Sequence, residues 1–223
     1  PCLINAMGLP GPGAKIAIQD ILKSELYSHK RPLGLSLGGE SPQEYLTTFT
    51  IYNDYIKSEN HPFYYELNIS CPNTQKGKDL TNNISVLEDV LKQIRQQTHR
   101  VISVKVSPDQ TNKQLTEIAD MLTQFDSILI NAGNTQFKST KSVGLNSNDI
   151  AIGGGGLSGK ALFSRTIEMI ELFKPTKIPL IATGGIFTAE DVKICLSKGA
   201  SLIGMATALA LNPYTIPKIL KEL

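Results

Sequence analysis

The sequence predicts an α/β fold, and a TIM-type (β/α)8 barrel is the leading architecture. Six short apolar runs rich in β-branched residues alternate with amphipathic helical patterns along the chain. These runs are apolar on both faces, which is typical of parallel strands that are covered by helices. Polar and glycine-rich residues follow the carboxyl ends of the predicted strands, where barrel enzymes place their chemistry.

The predicted strands and helices follow one another in regular order. The strands are residues 32–37, 64–70, 101–106, 127–132, 178–183 and 200–206, and the helices are residues 42–58, 85–97, 112–125, 164–173 and 189–199. A doubly wound open sheet accommodates six strands, whereas a complete barrel usually needs about 250 residues. The barrel interpretation therefore expects two further strands before Pro1.

Composition limits the class of protein. With 223 residues, of which 41% are hydrophobic and 19% charged, the chain is long enough for one sizeable core, so residues 1–223 are predicted to form a single domain. A net charge of +2 with scattered lysines indicates no nucleic-acid or anionic membrane surface. No apolar run approaches the roughly 18 residues of a membrane helix, and a cytoplasmic location is expected.

The three cysteines, Cys2, Cys71 and Cys195, are odd in number and lack metal-ligand spacing. This pattern argues against a zinc site and against a disulfide framework, so no metal is expected. Cys195 lies on the apolar stripe of a predicted helix, which indicates core packing. Cys71 directly follows a predicted strand, and the residues alone leave a packing role and a catalytic role open.

Three glycine-containing segments indicate a phosphate site. In "ATGGIFTAED" a glycine pair precedes Thr188, a predicted N-cap, with Glu190 and Asp191 in the first turn of the next helix. Glycines allow backbone N–H groups to approach an anion closely, and "GMAT" at 204–207 offers further donors. The run "GGGGLSG" at 153–159 fits the same site or a flexible loop.

The ordered motifs identify a family. The segments "INAMGLPGPG" (4–13), "ELNISCPN" (66–73), "VKVSP" (104–108), "INAGNT" (130–135), "GGLSG" (155–159), "IATGGIFTAEDV" (181–192) and "ATALALNPY" (206–214) resemble the dihydroorotate dehydrogenases. These are FMN-dependent barrel enzymes of pyrimidine synthesis. The resemblance implies oxidation of dihydroorotate to orotate, in which a base takes the C5 proton and the flavin N5 takes a hydride from C6.

The resemblance also implies residue roles. Cys71 matches the general base of the soluble branch, on a loop expected to close over the substrate, whereas the membrane-bound branch has serine there. Lys105 matches a lysine beside the flavin N1 and O2. The substrate contacts implied are Asn5, Met7, Gly8, Leu9, Asn68, Asn73, Asn134 and Thr135. The cofactor contacts implied, besides Lys105, are Ser36, Gly159, Gly184, Gly185, Ala206 and Thr207.

Several features stay open at the level of sequence. The family's second flavin lysine and its first cofactor loop would precede Pro1, and "TQKGKDLTNN" (74–83) matches no branch closely. The electron acceptor is either fumarate or NAD, the latter through a partner subunit that carries FAD and an iron–sulfur cluster, and a homodimer is expected. Two alternatives are another FMN barrel oxidoreductase acting on a related ring, and a non-catalytic phosphate-binding barrel fragment.

Overall fold

The structure is a computed structural model that describes residues 1–8, 10–69, 80, 83–146 and 148–223. Three residues with predicted roles, Leu9, Cys71 and Asn73, lie outside the described residues. The chain divides into two compact units. Unit 1 comprises Pro1–Ala6, Lys105–Gln124 and Leu129–Leu223, and unit 2 comprises Met7–Val104 and Phe125–Ile128.

The described residues form strands and helices in alternation. The strands are β1 (Cys2–Asn5), β2 (Leu33–Leu37), β3 (Phe63–Asn68), β4 (Ile102–Val106), β5 (Ile128–Ala132), β6 (Gln136–Ser139), β7 (Gly154–Gly159), β8 (Leu180–Thr183) and β9 (Leu202–Gly204). The α-helices are α1 (Ala14–Lys23), α2 (Glu25–Ser28), α3 (Pro42–Ile56), α4 (Ile84–Arg95), α5 (Asn112–Leu122), α6 (Phe163–Phe173), α7 (Ala189–Lys198), α8 (Thr207–Leu211) and α9 (Thr215–Glu222). Short 3-10 segments lie at Lys141–Val143, Lys160–Leu162 and Lys174–Thr176.

The six predicted strands are confirmed as β2, β3, β4, β5, β8 and β9, which is also their order in one sheet. In unit 2, β2 and β3 are parallel. In unit 1, β8 is parallel to β5 on one side and to β9 on the other. The sequential strand order and the helices between strands confirm the predicted α/β class.

A second sheet in unit 1 was not predicted. Its order is β1-β7-β6, and both pairings are antiparallel. The interpretation of 153–159 as a flexible loop is therefore wrong, because Gly154–Gly159 forms the central strand of this sheet. A Cβ on Gly155 would lie 2.5 Å from the carbonyl oxygen of Asn5, so the absence of a side chain permits the strands to approach.

The five predicted helices are confirmed as α3, α4, α5, α6 and α7. Helix α3 begins with Pro42 after the N-cap Ser41. Helix α7 begins as predicted, because the Thr188 side chain accepts from the Asp191 N–H and Asp191 accepts from the Thr188 N–H in a capping box. Glu190 and Asp191 place negative charge in the first turn, where the helix dipole favours it.

Each unit buries an apolar core between its sheet and its helices. In unit 2 the largest fully buried side chains include Tyr45, Phe49 and Tyr65, and the Phe49 and Tyr65 rings meet edge to face at 5.0 Å. In unit 1 Phe173 and Cys195 are fully buried. The predicted core role of Cys195 is confirmed, and burial raises the pKa of its thiol to about 11, with a further contribution from Asp191.

Within the described ranges, none of the helices combines the length and the apolar character that crossing a bilayer requires.

Candidate functional site

Unit 1 contains a cavity of about 110 Å³ at the carboxyl ends of its strands. It brings together eight residues to which the sequence assigned roles. They are Lys105, Asn134, Thr135, Gly159, Gly184, Gly185, Ala206 and Thr207. These residues come from segments that end or follow five different strands, β4, β5, β7, β8 and β9, so the structure brings these predicted residues together at strand ends within this unit.

The glycine pair after β8 forms one wall of the cavity. Gly184 and Gly185 have φ values of +130° and +72°, in the region that disfavours side chains. A Cβ on Gly185 would lie 2.5 Å from the backbone nitrogen of Phe163, at the start of α6. The Thr166 hydroxyl of the same helix donates to the carbonyl of Gly184 at 3.0 Å. Helix α6 therefore holds this turn in a shape that requires glycine.

The next turn is fixed by a buried carboxylate. Asp191 accepts the backbone N–H groups of Phe187 at 2.9 Å and Thr188 at 3.1 Å, and the ammonium of Lys160 approaches it to 2.5 Å. Burial opposes ionisation of Asp191, but the hydrogen bond from Lys160 and those from Phe187 and Thr188 together lower the pKa of the carboxyl. Lys160 follows Gly159 directly, so this ion pair ties the end of β7 to the loop after β8.

Hydroxyl groups link the ends of β7 and β9. Thr207 Oγ1 donates to Ser158 Oγ at 2.9 Å, and Ser158 Oγ contacts the Leu3 carbonyl at 3.4 Å. Thr207 is also the first residue of α8, with Ala206 as its N-cap. The N-terminal backbone of α8 and the glycines of β7 and β8 therefore line the same cavity.

Lys105 and Asn134–Thr135 line the cavity on the side of β4 and β5. Among the described residues that line it, Lys105 carries the only charged side chain. The Thr135 N–H donates to Asn134 Oδ1 at 2.8 Å, which fixes the orientation of that amide. The cavity thus joins one cation to a wall of glycine and N-terminal helix backbone, which is a combination that suits an anionic group.

The size of the cavity limits what it holds. Sites for small molecules usually measure about 300–1,000 Å³. At about 110 Å³ this cavity accommodates one end of a ligand, such as a phosphate group, rather than a whole nucleotide.

Of the predicted contacts that the structure describes, Asn5, Met7, Gly8, Ser36 and Asn68 are not among the residues that line this cavity. Asn5 lies on β1, where it pairs with Gly156 of β7. In unit 2, Ser36 lies on β2, and Asn68 ends β3, where its carbonyl accepts from the Tyr45 hydroxyl at 2.8 Å. Met7 and Gly8 also belong to unit 2, and Met7 is 72% exposed.

Sequence reasoning missed several residues of the site. Ser158, Thr183 and Phe187 line the cavity without having been assigned a role. Asn131 at the end of β5 accepts from the Thr183 hydroxyl at 2.8 Å. Ser158 and Thr183 each directly precede glycines that were predicted, and Asn131 lies in the quoted motif "INAGNT", so proximity to these motifs was the available signal.

A parallel α/β fold with a glycine-lined cavity at its strand ends is typical of one class of protein, the barrel-type enzymes. Comparison with known proteins narrows the class further. The family model described as dihydroorotate dehydrogenase matches residues 1–223, so the chain belongs to that family. The prediction that the protein is an oxidoreductase of this family is thereby confirmed.

Curated relatives agree with the family. The chain is 31% identical over 235 aligned positions to the protein named "Dihydroorotate dehydrogenase B (NAD(+)), catalytic subunit" from Bacillus thuringiensis (strain Al Hakam), covering 99% of this chain and 70% of that protein. The protein of the same name from Bacillus cereus (strain AH187) is equally similar.

Solved structures support the barrel fold. The structure of DHODH in complex with ferulenol from Eimeria tenella matches with a TM-score of 0.77 at 19% identity, over 99% of this chain. The chain spans 66% of that structure's chain. The ligand-free form from the same organism matches with a TM-score of 0.61 at 24% identity, over 71% of this chain and 50% of that one. At these identities the likeness shows the fold, and it confirms the predicted barrel class.

Proposed function

We propose that the protein oxidises dihydroorotate to orotate with FMN as its cofactor. The observation that carries this proposal is the cavity of unit 1. There Lys105 and the pair Asn134–Thr135 meet three segments that contain glycines or begin a helix, as the sequence motifs imply. Membership of the dihydroorotate dehydrogenase family supplies the reaction class.

The cavity residues fit the phosphate end of FMN. Gly159, Gly185 and Thr207 present backbone that an anion can approach closely, because the glycines carry no side chain and Thr207 starts a helix. Lys105 lines the same cavity from β4, and its positive charge would favour an electron-rich reduced ring that extends beyond the phosphate end. FMN, when bound, supplies the acceptor for the hydride that leaves C6 of dihydroorotate.

Cys71 is the proposed general base, on the strength of its motif "ELNISCPN" and the family resemblance. A thiolate at this position takes the proton from C5 of the substrate. An ordinary thiol has a pKa near 8.5, so flavin reduction should accelerate as the pH rises through the pKa of Cys71.

The asparagines are proposed to bind the pyrimidine ring and its carboxylate. An amide offers a donor and an acceptor together, which suits the alternating N–H and C=O groups of such a ring. Asn134 and Thr135 lie at the cavity, and Asn68 ends a strand in unit 2. Asn5, Asn73 and the backbone of 7–9 complete the proposed set.

NAD, reached through a partner subunit, is the proposed electron acceptor. The Bacillus relatives are named as NAD(+)-type catalytic subunits, which favours this branch over fumarate. A steady-state assay of the full protein settles the choice. Fumarate-dependent turnover by the isolated protein would contradict the proposal, and NAD turnover that requires a second subunit would support it. The expected homodimer stays a prediction.

Anaerobic binding experiments test the proposal as a whole. The purified full protein should carry FMN or take it up, and orotate should perturb the flavin spectrum. A protein that binds FMN but does not respond to orotate would point to another ring substrate. A protein that takes up no FMN would favour the phosphate-binding fragment instead.

A further inference from the structure

The loop after β4, residues 107–111, is rigidly built. Inside it, the Ser107 N–H donates to Gln110 Oε1 at 2.8 Å and the Asp109 N–H donates to Ser107 Oγ at 3.1 Å. Ser107 and Gln110 are 6% and 5% exposed. Because bonds between buried groups are costly to break, this loop has little freedom to move. It begins two residues after Lys105, which lines the cavity.

Arg165 of α6 anchors the same loop from outside. Its guanidinium donates to the carbonyl of Gln110 at 2.7 Å, to that of Pro108 at 3.2 Å and to Asn112 Oδ1 at 2.7 Å. Glu168, one turn later, pairs with Arg165 at 2.8 Å. The planar fork of arginine suits such multiple bonding, so the loop is fixed to the helix whose first residue backs the Gly185 turn.

From this fixed loop, the Asp109 side chain reaches the strand β6, which follows Asn134 and Thr135. Its Oδ2 accepts the backbone N–H of Phe137 at 2.9 Å, across 28 positions of sequence. Phe137 lies on β6, paired with Gly156 of β7, and it follows Thr135 by two residues. The Thr135 side chain packs so closely on Gly156 that a Cβ there would lie 2.7 Å from Thr135 Cβ.

We infer that Asp109 is a positioning residue, whose bond to Phe137 holds Asn134 and Thr135 at a fixed distance from the strand that carries Lys105. The inference rests on the proposed function and extends it, because it names what sets the spacing between the cation and the substrate-binding wall. Asp109 is not among the residues that line the cavity, and it acts through the backbone of β6.

The chemistry of the carboxylate separates this role from that of a surface charge. Although the residue as a whole is exposed, crowding of its carboxyl by protein raises the pKa, and the Phe137 N–H, Lys138 and Arg165 oppose that shift. Asparagine keeps an acceptor oxygen in the same place without the charge, whereas alanine removes it. Asp109→Asn loses only the charge, whereas Asp109→Ala loses the charge and the bond. Comparison of the two variants therefore isolates the effect of the bond.

The test measures two dissociation constants, for FMN and for orotate, and the melting temperature in the full protein. In Asp109→Ala, orotate should bind about fivefold more weakly, as expected from the loss of one hydrogen bond, with FMN affinity within twofold of wild type. Asp109→Asn should restore orotate binding. Glu117→Ala, which removes an exposed acid of α5 in the same unit, serves as the matched control and should change neither constant.

Three results would overturn the inference. Equal orotate affinity in Asp109→Ala and wild type would leave the Phe137 bond without a role in positioning. FMN and orotate affinity falling together with the melting temperature would indicate a purely structural role. Failure of Asp109→Asn to rescue binding would assign the effect to charge. If Asp109→Ala does not fold, Asp109→Ser, whose side chain is too short to reach Phe137, takes its place.

Wild-type protein that bound neither FMN nor orotate would refute the proposed function, and the inference with it. Wild-type protein that bound both, with one of the three results above, would refute the inference alone.

Discussion

Replacing Gly185 by alanine tests the cavity wall, because the structure gives two separate reasons why no side chain fits there. Its φ of +72° is a left-handed conformation that costs an L-residue about 1–2 kcal/mol. The added Cβ would also lie 2.5 Å from Phe163 N and 2.8 Å from Phe163 Cα, and overpacking typically costs about 1–3 kcal/mol. The sum is about 2–5 kcal/mol, or roughly 4–20 °C in melting temperature for a domain of this size.

Gly144→Ala is the matched control. Gly144 has a φ of +76°, but nothing lies within 4 Å of the position that its Cβ would take. Its substitution should therefore cost only the conformational term of about 1–2 kcal/mol, roughly 2–8 °C. The difference between the two variants isolates the close approach of Phe163.

Differential scanning fluorimetry measures both melting temperatures, and a fluorescence titration measures FMN affinity. A shift of the Gly185 turn should weaken FMN binding at least about tenfold, which is about 1.4 kcal/mol and close to the loss of one charge-assisted hydrogen bond. Gly144→Ala should leave FMN affinity unchanged. Equal melting temperatures and equal FMN affinities for the two variants would refute the reasoning.

Three further predictions concern charged groups and the proposed base. Lys160→Met should destabilise the protein by about 1–3 kcal/mol at pH 7, because it leaves the buried Asp191 carboxylate without its cation. The pKa of Asp191 is lowered in the folded protein, so its stabilisation is present above the unfolded value near 3.9 and is lost as the pH falls through the folded value. The gap between the variant and wild type in urea titrations should therefore begin to narrow near pH 4 and close as the pH falls below the folded pKa of Asp191, and a gap that does not narrow below pH 4 would contradict this account. Arg100→Ala should destabilise the protein by about 2–4 kcal/mol in urea unfolding. The reason is that the guanidinium donates to the carbonyls of Ile56, Glu59 and His61 at 2.9, 2.8 and 3.1 Å. A loss below about 0.5 kcal/mol would show that water replaces the guanidinium at these carbonyls. Cys71→Ser should retain slow flavin reduction, with the pH dependence of its rate moved to higher pH because an alcohol is far less acidic than a thiol. An unchanged pH profile in stopped-flow traces would exclude Cys71 as the base.

The sheet and its helices were predictable because their signals are local. Strand Ile102–Val106 has apolar side chains at alternate positions, and strand Ile128–Ala132 is an apolar run that only Asn131 interrupts. The capping box of helix α7 lies within four consecutive residues, so the sequence spacing alone predicts Thr188 as the N-cap and Asp191 in the first turn.

The antiparallel sheet was not predictable in the same way. Strand Gly154–Gly159 has four glycines and little β propensity, and it is a strand because Cys2–Asn5 and Gln136–Ser139 pair with it. The partner Cys2 lies more than 150 positions away, and no local pattern encodes that pairing. Tertiary contacts overrode the propensity of the glycine run.

The candidate site shows the same division. Eight residues of the cavity were identified from motifs, because chemistry at strand ends is concentrated in short segments. The groups that hold those segments in place, including the Asp109 bond to Phe137 and the Lys160 pair with Asp191, join residues 28 and 31 positions apart. Such contacts depend on how the elements pack, and a single sequence does not display them.

The most direct test of the central claim is anaerobic stopped-flow mixing of the full, FMN-loaded protein with dihydroorotate. The account predicts rapid loss of the oxidised flavin absorbance in wild type, at a rate that rises with pH. Cys71→Ala should slow this step by about 100-fold to 10,000-fold, the usual contribution of a positioned base, while orotate affinity changes little. Flavin that stays oxidised in wild type, or is reduced equally fast in Cys71→Ala between pH 6 and pH 10, would contradict the account.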